Sequence, residues 1–143
     1  MTVCIDTNVL VGMFGRSAPW LPIRHALLSG RILWAVSNEI LLEYEEIFIR
    51  EMSAANAMTM LEFIELVDAT RGVIRYLSPT YRFHTIPADA DDDKFADCAI
   101  AAHADYVITE DRDFRPLAGA GFKPQPITPA EFIARHLVGS TAP

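Results

Sequence analysis

The chain has 143 residues, of which 51% are hydrophobic and 22% charged, and its formal net charge is −7 at pH 7. A chain of this length fits one domain and buries roughly two thirds of its unfolded surface, and this composition excludes a disordered or low-complexity protein. The acidic balance argues against a surface that binds nucleic acid through bulk positive charge.

The elements alternate between strand and helix along the chain, which predicts an α/β fold with a three-layer sandwich and a mainly parallel sheet of four to five strands. The predicted strands cover residues 2–6, 31–36, 72–77, 105–109 and 125–128. One predicted helix ends near residue 30, and four others cover residues 38–52, 54–69, 88–104 and 129–137. We expect a single domain over residues 1–138 and a frayed tail over residues 139–143.

Local signals refine several of these elements. Ser37 is well placed as the N-cap of the 38–52 helix. We expect Thr7 and Asn8 to turn the chain away after the first strand. The Met and Phe residues of the 54–69 helix, Met58 and Phe63 among them, are predicted to lie in the core.

The sequence shows no apolar run of the roughly 20 residues that a membrane span needs, and no signal peptide, so the expected location is the cytoplasm. Cys4 and Cys98 both lie among apolar neighbours. We therefore expect buried, reduced thiols rather than a disulfide framework or a zinc site.

Five carboxylates fall where the ends of parallel strands meet. Asp6 ends the first strand and Asp111 lies just beyond the fourth, so both belong to the same edge of the sheet. Glu43 occupies the second turn of a helix that begins at that edge, and Asp93 and Asp97 lie four residues apart in the first turns of another. The pattern predicts that carboxylates from distant segments converge.

Converging carboxylates need a positive charge to offset their repulsion and lost hydration. Lys94 and Arg112 are the only basic residues at matching positions in these segments, so a divalent metal is the simpler compensation. Ligands that are all oxygen favour Mg²⁺ or Mn²⁺ over zinc, and the four histidines show no ligand spacing.

Each carboxylate also has a purely structural interpretation. A single aspartate after a strand, as at Asp6, is most often a turn or cap residue. Asp91, Asp92 and Asp93 are placed to stabilise a helix N-terminus electrostatically. The shared position at one edge favours function over these separate explanations.

Four segments resemble the motifs of the PIN-domain metal-dependent nucleases, and in particular the toxins of bacterial toxin-antitoxin pairs. In chain order they are "IDTNVLV", "SNEILLEYEEI", "DDDKFADCAIAAHADYVIT" and "TEDRDF". Each is weakly specific by itself, whereas four in this order form a strong signal. The resemblance implies the PIN-like version of the fold predicted above.

The resemblance implies a role for each matching acid. Asp6, Glu43 and Asp111 match metal-binding acids of the first, second and fourth motifs. Asp97 matches the acid of the third motif. Asp93 lies one turn before Asp97 and is a second candidate for that acid. Asn8 and Thr109 match polar positions that support the site in the family. The basic residues near the proposed edge are candidate contacts for RNA phosphates: Arg16, Lys94, Arg112 and Arg115.

The implied function is hydrolysis of RNA phosphodiester bonds by an endoribonuclease that depends on Mg²⁺ or Mn²⁺. The implied partners are an RNA substrate, an antitoxin protein and a second copy of the chain. One alternative is a catalytically silent PIN-like module that binds proteins. Another is an aspartyl-phosphate phosphatase or phosphotransfer domain, which "DTN" disfavours because the second acid two positions on is absent, as is a lysine after "YVIT".

Overall fold

The computed structural model describes residues 1–87 and 93–138. Its strands are β1 (Thr2–Ile5), β2 (Leu33–Ser37), β3 (Ile74–Leu77), β4 (Tyr106–Ile108) and β5 (Gln125–Ile127). Its α-helices are α1 (Thr7–Val11), α2 (Leu21–Leu28), α3 (Asn38–Glu51), α4 (Ala54–Arg71), α5 (Asp93–Ala101) and α6 (Pro129–Phe132). A 3₁₀ helix covers Arg112–Gly119, and a π-helical turn, Ile133–Leu137, continues α6.

All five strands are parallel, in the order β3-β2-β1-β4-β5, with helices packed against the sheet. The predicted α/β fold with a mainly parallel sheet is therefore confirmed. The order reverses between β1 and β4, and in open parallel sheets a crevice forms outside the carboxyl ends of the strands at such a point. We call the margin where the strands end the carboxyl edge.

The core is built from aromatic and aliphatic side chains on both sides of the sheet. Trp34, Tyr44, Phe48 and Phe95 are fully buried, and the ring of Tyr44 lies between those of Trp34 and Phe95, with centroids 5.9 and 6.2 Å away. Burying apolar side chains of this size contributes roughly 1.5–3 kcal/mol each. This core fixes α3 and α5 against the sheet, and with them the carboxylates they carry.

Several local predictions hold. Ser37 caps α3 by accepting a hydrogen bond from the Ile40 amide at 3.3 Å. Cys4 and Cys98 are buried free thiols. Among the described residues no helix has the length and apolar character to span a bilayer.

Two details differ from the local predictions. After β1 the chain does not simply turn away at Thr7 and Asn8 but enters the helix α1 at once, because the Asp6 carboxylate caps the helix by accepting from the Thr7 amide. Met58 is 61% exposed, because α4 turns only one side towards the core and Met58 lies outside it, whereas Phe63 is buried as predicted. Asp91, Asp92 and the tail 139–143, for which predictions were made, lie outside the described residues.

Candidate functional site

The buried polar residues of the described chain gather at the carboxyl edge. They lie at or directly after the ends of β1, β2 and β4, in the loop that leads to α5, or in the first half of α5. The helix α5 must begin at this edge because it leads into a parallel strand. They are Asp6, Thr7, Ser37, Thr85, Asp93, Asp97 and Thr109. Buried polar groups cost free energy unless they are paired, so their concentration marks a specialised region.

Asp6 is fixed by both of its carboxylate oxygens. One accepts a hydrogen bond from the Thr7 amide at 2.8 Å, and the other accepts from the Thr109 hydroxyl at 2.7 Å. The Asp6 amide donates to the Ile108 carbonyl at 3.0 Å, which continues the pairing of β1 with β4 past the last strand residue. The side chain is therefore held at the end of the central strand of the sheet, at 7% exposure.

Thr109 connects Asp6 to the fourth acid. While its hydroxyl donates to Asp6, it accepts from the Asp111 amide at 3.0 Å. Asp111 is exposed and caps the 3₁₀ helix by accepting from the Asp113 amide at 2.9 Å. Thr109 thus forms hydrogen bonds with both Asp6 and Asp111, whereas Asn8 is exposed in the first turn of α1.

Glu43 reaches the same place from α3. It accepts a short hydrogen bond from the Thr7 hydroxyl, and it forms an ion pair with Lys94, whose Nζ lies 2.8 Å from the second carboxylate oxygen. The neighbouring Tyr44 donates its buried hydroxyl to the carbonyl of Ile5. The hydroxyls of Thr7 and Tyr44 thus tie α3 to the end of β1.

The charges of Asp6, Glu43 and Asp111 act on one another. Burial raises the pKa of Asp6, the hydrogen bonds from Thr109 and the Thr7 amide lower it, and the charges of Glu43 and Asp111 raise it further. Glu43 has Lys94 as a partner, but no ion pair joins Asp6 or Asp111 to a basic side chain in the part of the chain described.

Asp93 and Asp97 form a second pair, directed at the segment that precedes α5. Asp93 accepts from the Ile86 amide at 3.0 Å and has the His84 ring 3.8 Å from its other oxygen. Asp97 accepts from the Phe83 amide at 3.0 Å, and its Oδ2 is buried without a hydrogen-bond partner. Burial is the main cause that raises the pKa of Asp97, and the charge of Asp93 adds to it.

The five acids therefore fall into two groups that adjoin at the Lys94–Glu43 ion pair. Over residues 1–87 and 93–138, no three acidic, histidine or cysteine side chains are already arranged to hold one metal ion. The donor chemistry nevertheless fits Mg²⁺ or Mn²⁺, because every candidate is a carboxylate and the charges of Glu43 and Asp111 raise the pKa of Asp6.

The candidate phosphate contacts lie in different surroundings. Arg112 and Arg115 are exposed and line a cavity of about 300 Å³ beyond β4 and β5, together with Thr109 and Asp111. Arg16 is exposed in the loop between α1 and α2. Lys94 is engaged with Glu43.

Sequence reasoning missed three polar groups around the site. Thr7 was interpreted as a turn residue, although a hydroxyl directly after a capping aspartate is a possible signal. The buried hydroxyl of Tyr44 gives no periodic signal in the sequence. Arg82, paired with Glu39 at 2.8 Å, comes from a loop whose path the sequence does not predict.

Comparison with known proteins gives one family and one similar structure. Residues 2–113 match the family described as PIN domain. A chain in the crystal structure of VapBC2 from Rickettsia felis bound to a DNA fragment from their promoter superposes with a TM-score of 0.59 and 15% identity, covering 88% of this chain and 98% of that one. No curated protein sequence matches this chain. At this identity the structural likeness concerns the fold.

Proposed function

Because this chain belongs to the PIN-domain family, we propose that it is an endoribonuclease that depends on Mg²⁺ or Mn²⁺ and hydrolyses RNA phosphodiester bonds. The observation that carries the proposal is the concentration of buried polar residues at the carboxyl edge, where the charges of Glu43 and Asp111 act on Asp6. A core position is costly for a carboxylate, and a divalent cation bound there offsets that cost.

The metal would be held by Asp6, Glu43 and Asp111, with Asp93 and Asp97 as the candidates from α5. When bound, Mg²⁺ or Mn²⁺ supplies Lewis-acid stabilisation of the charge that develops on the phosphate and the leaving oxygen, and makes water more acidic. Thr109 and Thr7 hold Asp6 in one orientation, so little reorganisation is needed when substrate arrives.

The remaining steps use side chains of the chain itself. Asp93 or Asp97 accepts the proton of the attacking water, because a carboxylate within hydrogen-bond reach of that water can act as a general base. Arg112 and Arg115, exposed beside Asp111, contact the phosphates that flank the scissile bond. Local arginines of this kind suffice for positioning although the whole chain is acidic.

The fold shared with a chain of the VapBC2 complex supports a toxin role, in which an antitoxin protein covers the site, and a homodimer is part of this proposal. These partners follow from the family and need their own tests. Co-purification of this chain with a protein encoded next to it, and the mass of the purified chain in solution, test them directly.

The deciding experiment measures cleavage of a panel of structured and single-stranded RNAs with Mg²⁺, with Mn²⁺ and with EDTA, using wild type beside Asp6→Asn. We expect cleavage that requires the metal and falls by more than about 100-fold in the variant, because loss of a ligand exceeds the 10–100-fold effect of losing a residue that only supports one. Equal cleavage by the folded variant would contradict the site, and no cleavage under any condition would favour the silent protein-binding module.

A further inference from the structure

A cavity of about 190 Å³ opens at the carboxyl edge beside the metal-binding acids, beyond the ends of β2 and β3. It adjoins the candidate metal centre, since Lys94 lines it and also pairs with Glu43. Pockets for drug-sized ligands measure about 300–1,000 Å³, so this one suits a smaller group such as a single planar ring system. The residues that line the cavity include Asn38, Tyr81, Arg82, Lys94 and Asp97.

Asp97, one of the residues that line the cavity, carries an unsatisfied acceptor. Asp97 is 2% exposed, its Oδ1 accepts from the Phe83 amide, and its Oδ2 has no hydrogen-bond partner. A buried polar atom without a partner costs about 1–3 kcal/mol, which a donor from a ligand would remove. Asn38 is exposed on the same cavity and offers an amide that both donates and accepts.

The rim of the cavity carries an aromatic ring and a fixed cation. Tyr81 is 73% exposed, and its ring contacts only that of Phe83 among the described aromatic pairs, at a centroid distance of 5.7 Å. Arg82 is held by two hydrogen bonds to Glu39, at 2.8 and 3.4 Å. An exposed ring beside a guanidinium matches the way proteins bind single-stranded RNA, through base stacking and phosphate contacts.

We propose that this cavity binds one unpaired nucleobase of the RNA, next to the scissile phosphate, and selects a base with an exocyclic amino group. The base stacks on Tyr81, its amino group donates to Asp97 Oδ2, and Arg82 contacts the adjoining phosphate. Uracil lacks an amino group and is disfavoured. The inference rests on the proposed ribonuclease function. Of the two α5 carboxylates, it leaves Asp93 to serve the metal centre and to accept the proton of the attacking water.

The test measures binding without metal, so that it is independent of cleavage. Fluorescence anisotropy in EDTA compares five-nucleotide RNAs of uridine that carry guanosine, adenosine, cytidine or uridine at the centre. We expect wild type to bind at least one amino-bearing RNA more tightly than the all-uridine RNA. Tyr81→Ala removes the ring on which the base stacks and should weaken that binding by about 5- to 100-fold, whereas Tyr81→Phe keeps the ring and should retain the affinity.

Tyr76→Ala is the matched control, since Tyr76 is an exposed tyrosine on β3, 57% accessible, that does not line the cavity. It should bind like wild type. Asp97→Asn should reduce the difference in affinity between the amino-bearing RNAs and the all-uridine RNA. The reason is that a donor NH₂ group takes the place of the unpaired Oδ2 acceptor. Equal affinity of the Tyr81→Ala and Tyr76→Ala variants, or no preference over uridine in wild type, would overturn the pocket.

The same proteins separate this inference from the proposed function. If the protein cleaves RNA in a metal-dependent way but its RNA affinity depends on neither the central base nor Tyr81, the base pocket is overturned and the nuclease function stands. Selective binding that depends on Tyr81, with no cleavage in Mg²⁺ or Mn²⁺, supports the pocket and contradicts the nuclease.

Discussion

Asp6 and Asp97 are both buried carboxylates at the carboxyl edge, and burial raises the pKa of both, yet they are held differently. Asp6 follows a central strand and has hydrogen bonds to both oxygens. Asp97 lies on a helix, is held by the backbone of a loop, and keeps one oxygen unpaired. The sheet thus holds the Asp6 carboxylate in a fixed orientation, whereas the helix and the loop leave Asp97 with an unpaired acceptor.

The largest expected effect comes from removing the support of Asp6. Thr109→Val keeps the side-chain shape but deletes the donor to Asp6 and the acceptor for the Asp111 amide. We expect a loss of about 1–3 kcal/mol in unfolding free energy and a fall of about 10- to 100-fold in cleavage rate.

Urea unfolding and the cleavage assay measure these two losses. Thr59→Val is the control, because Thr59 is exposed on α4 and bonds only to the Ala55 carbonyl of its own helix. If the two variants lost the same stability, Asp6 would not depend on its threonine and the contrast with Asp97 would fail.

A smaller effect is expected at the tie between α3 and β1. Burial raises the pKa of the Tyr44 phenol well above its ordinary value, so the hydroxyl stays protonated and donates to Ile5. Tyr44→Phe should cost about 1 kcal/mol of stability, the usual net value of such a bond. It should also slow cleavage, because the adjacent Glu43 loses its fixed position. Tyr76→Phe, at an exposed site, provides the comparison, and unchanged cleavage in Tyr44→Phe would show that Thr7 and Lys94 position Glu43 without the Tyr44 hydrogen bond.

The pH dependence of stability tests the fixed carboxylate in a further way. Because the pKa of Asp6 is higher in the folded chain than its ordinary value near 3.9, the folded state binds more protons in the window above that value. Unfolding free energy therefore falls as pH rises from about 4 through the raised pKa. In EDTA, Asp6→Asn should show a shallower fall than wild type, and an unchanged or steeper fall in urea titrations would contradict the stated burial cost.

The smallest expected effect concerns Lys94, which joins the two groups of acids. Lys94→Met should change unfolding free energy by about 1 kcal/mol or less, because the pair with Glu43 is partly solvated and Glu43 keeps its bond from Thr7. Thermal unfolding measures the change. A loss of about 3–5 kcal/mol would instead indicate that the ion pair behaves as a buried one and that the two groups form a single unit.

Much of the fold was predictable, because periodicity and cap residues are local. The five strands and the helices α3 to α6 lie where the patterns place them, with ends shifted by a few residues. The helix α1 was missed because its five residues give no period, and its start depends on the Asp6 cap. Met58 was placed in the core because a short apolar pattern does not say which side of a helix the sheet will cover.

The site was predictable as a set of acids but not as a geometry. Strand ends and the first turns of helices place Asp6, Glu43 and Asp111 at one edge from topology alone. The direction of Asp93 and Asp97 depends on the loop before α5, whose amides they accept, and no periodic signal fixes that loop. The cavity with Tyr81 and Arg82 depends on the same loop.

The sequence by itself determined the α/β class, the parallel sheet, the PIN-domain motifs and the edge at which the acids lie, because each follows from short-range patterns and from the direction of strands. Only the tertiary structure decided which acids act on one another, that Thr109 and Thr7 hold Asp6, and that Asp97 keeps an unpaired oxygen beside an exposed Tyr81. The reason is that these contacts join residues far apart in the chain, through loops whose course is set by packing.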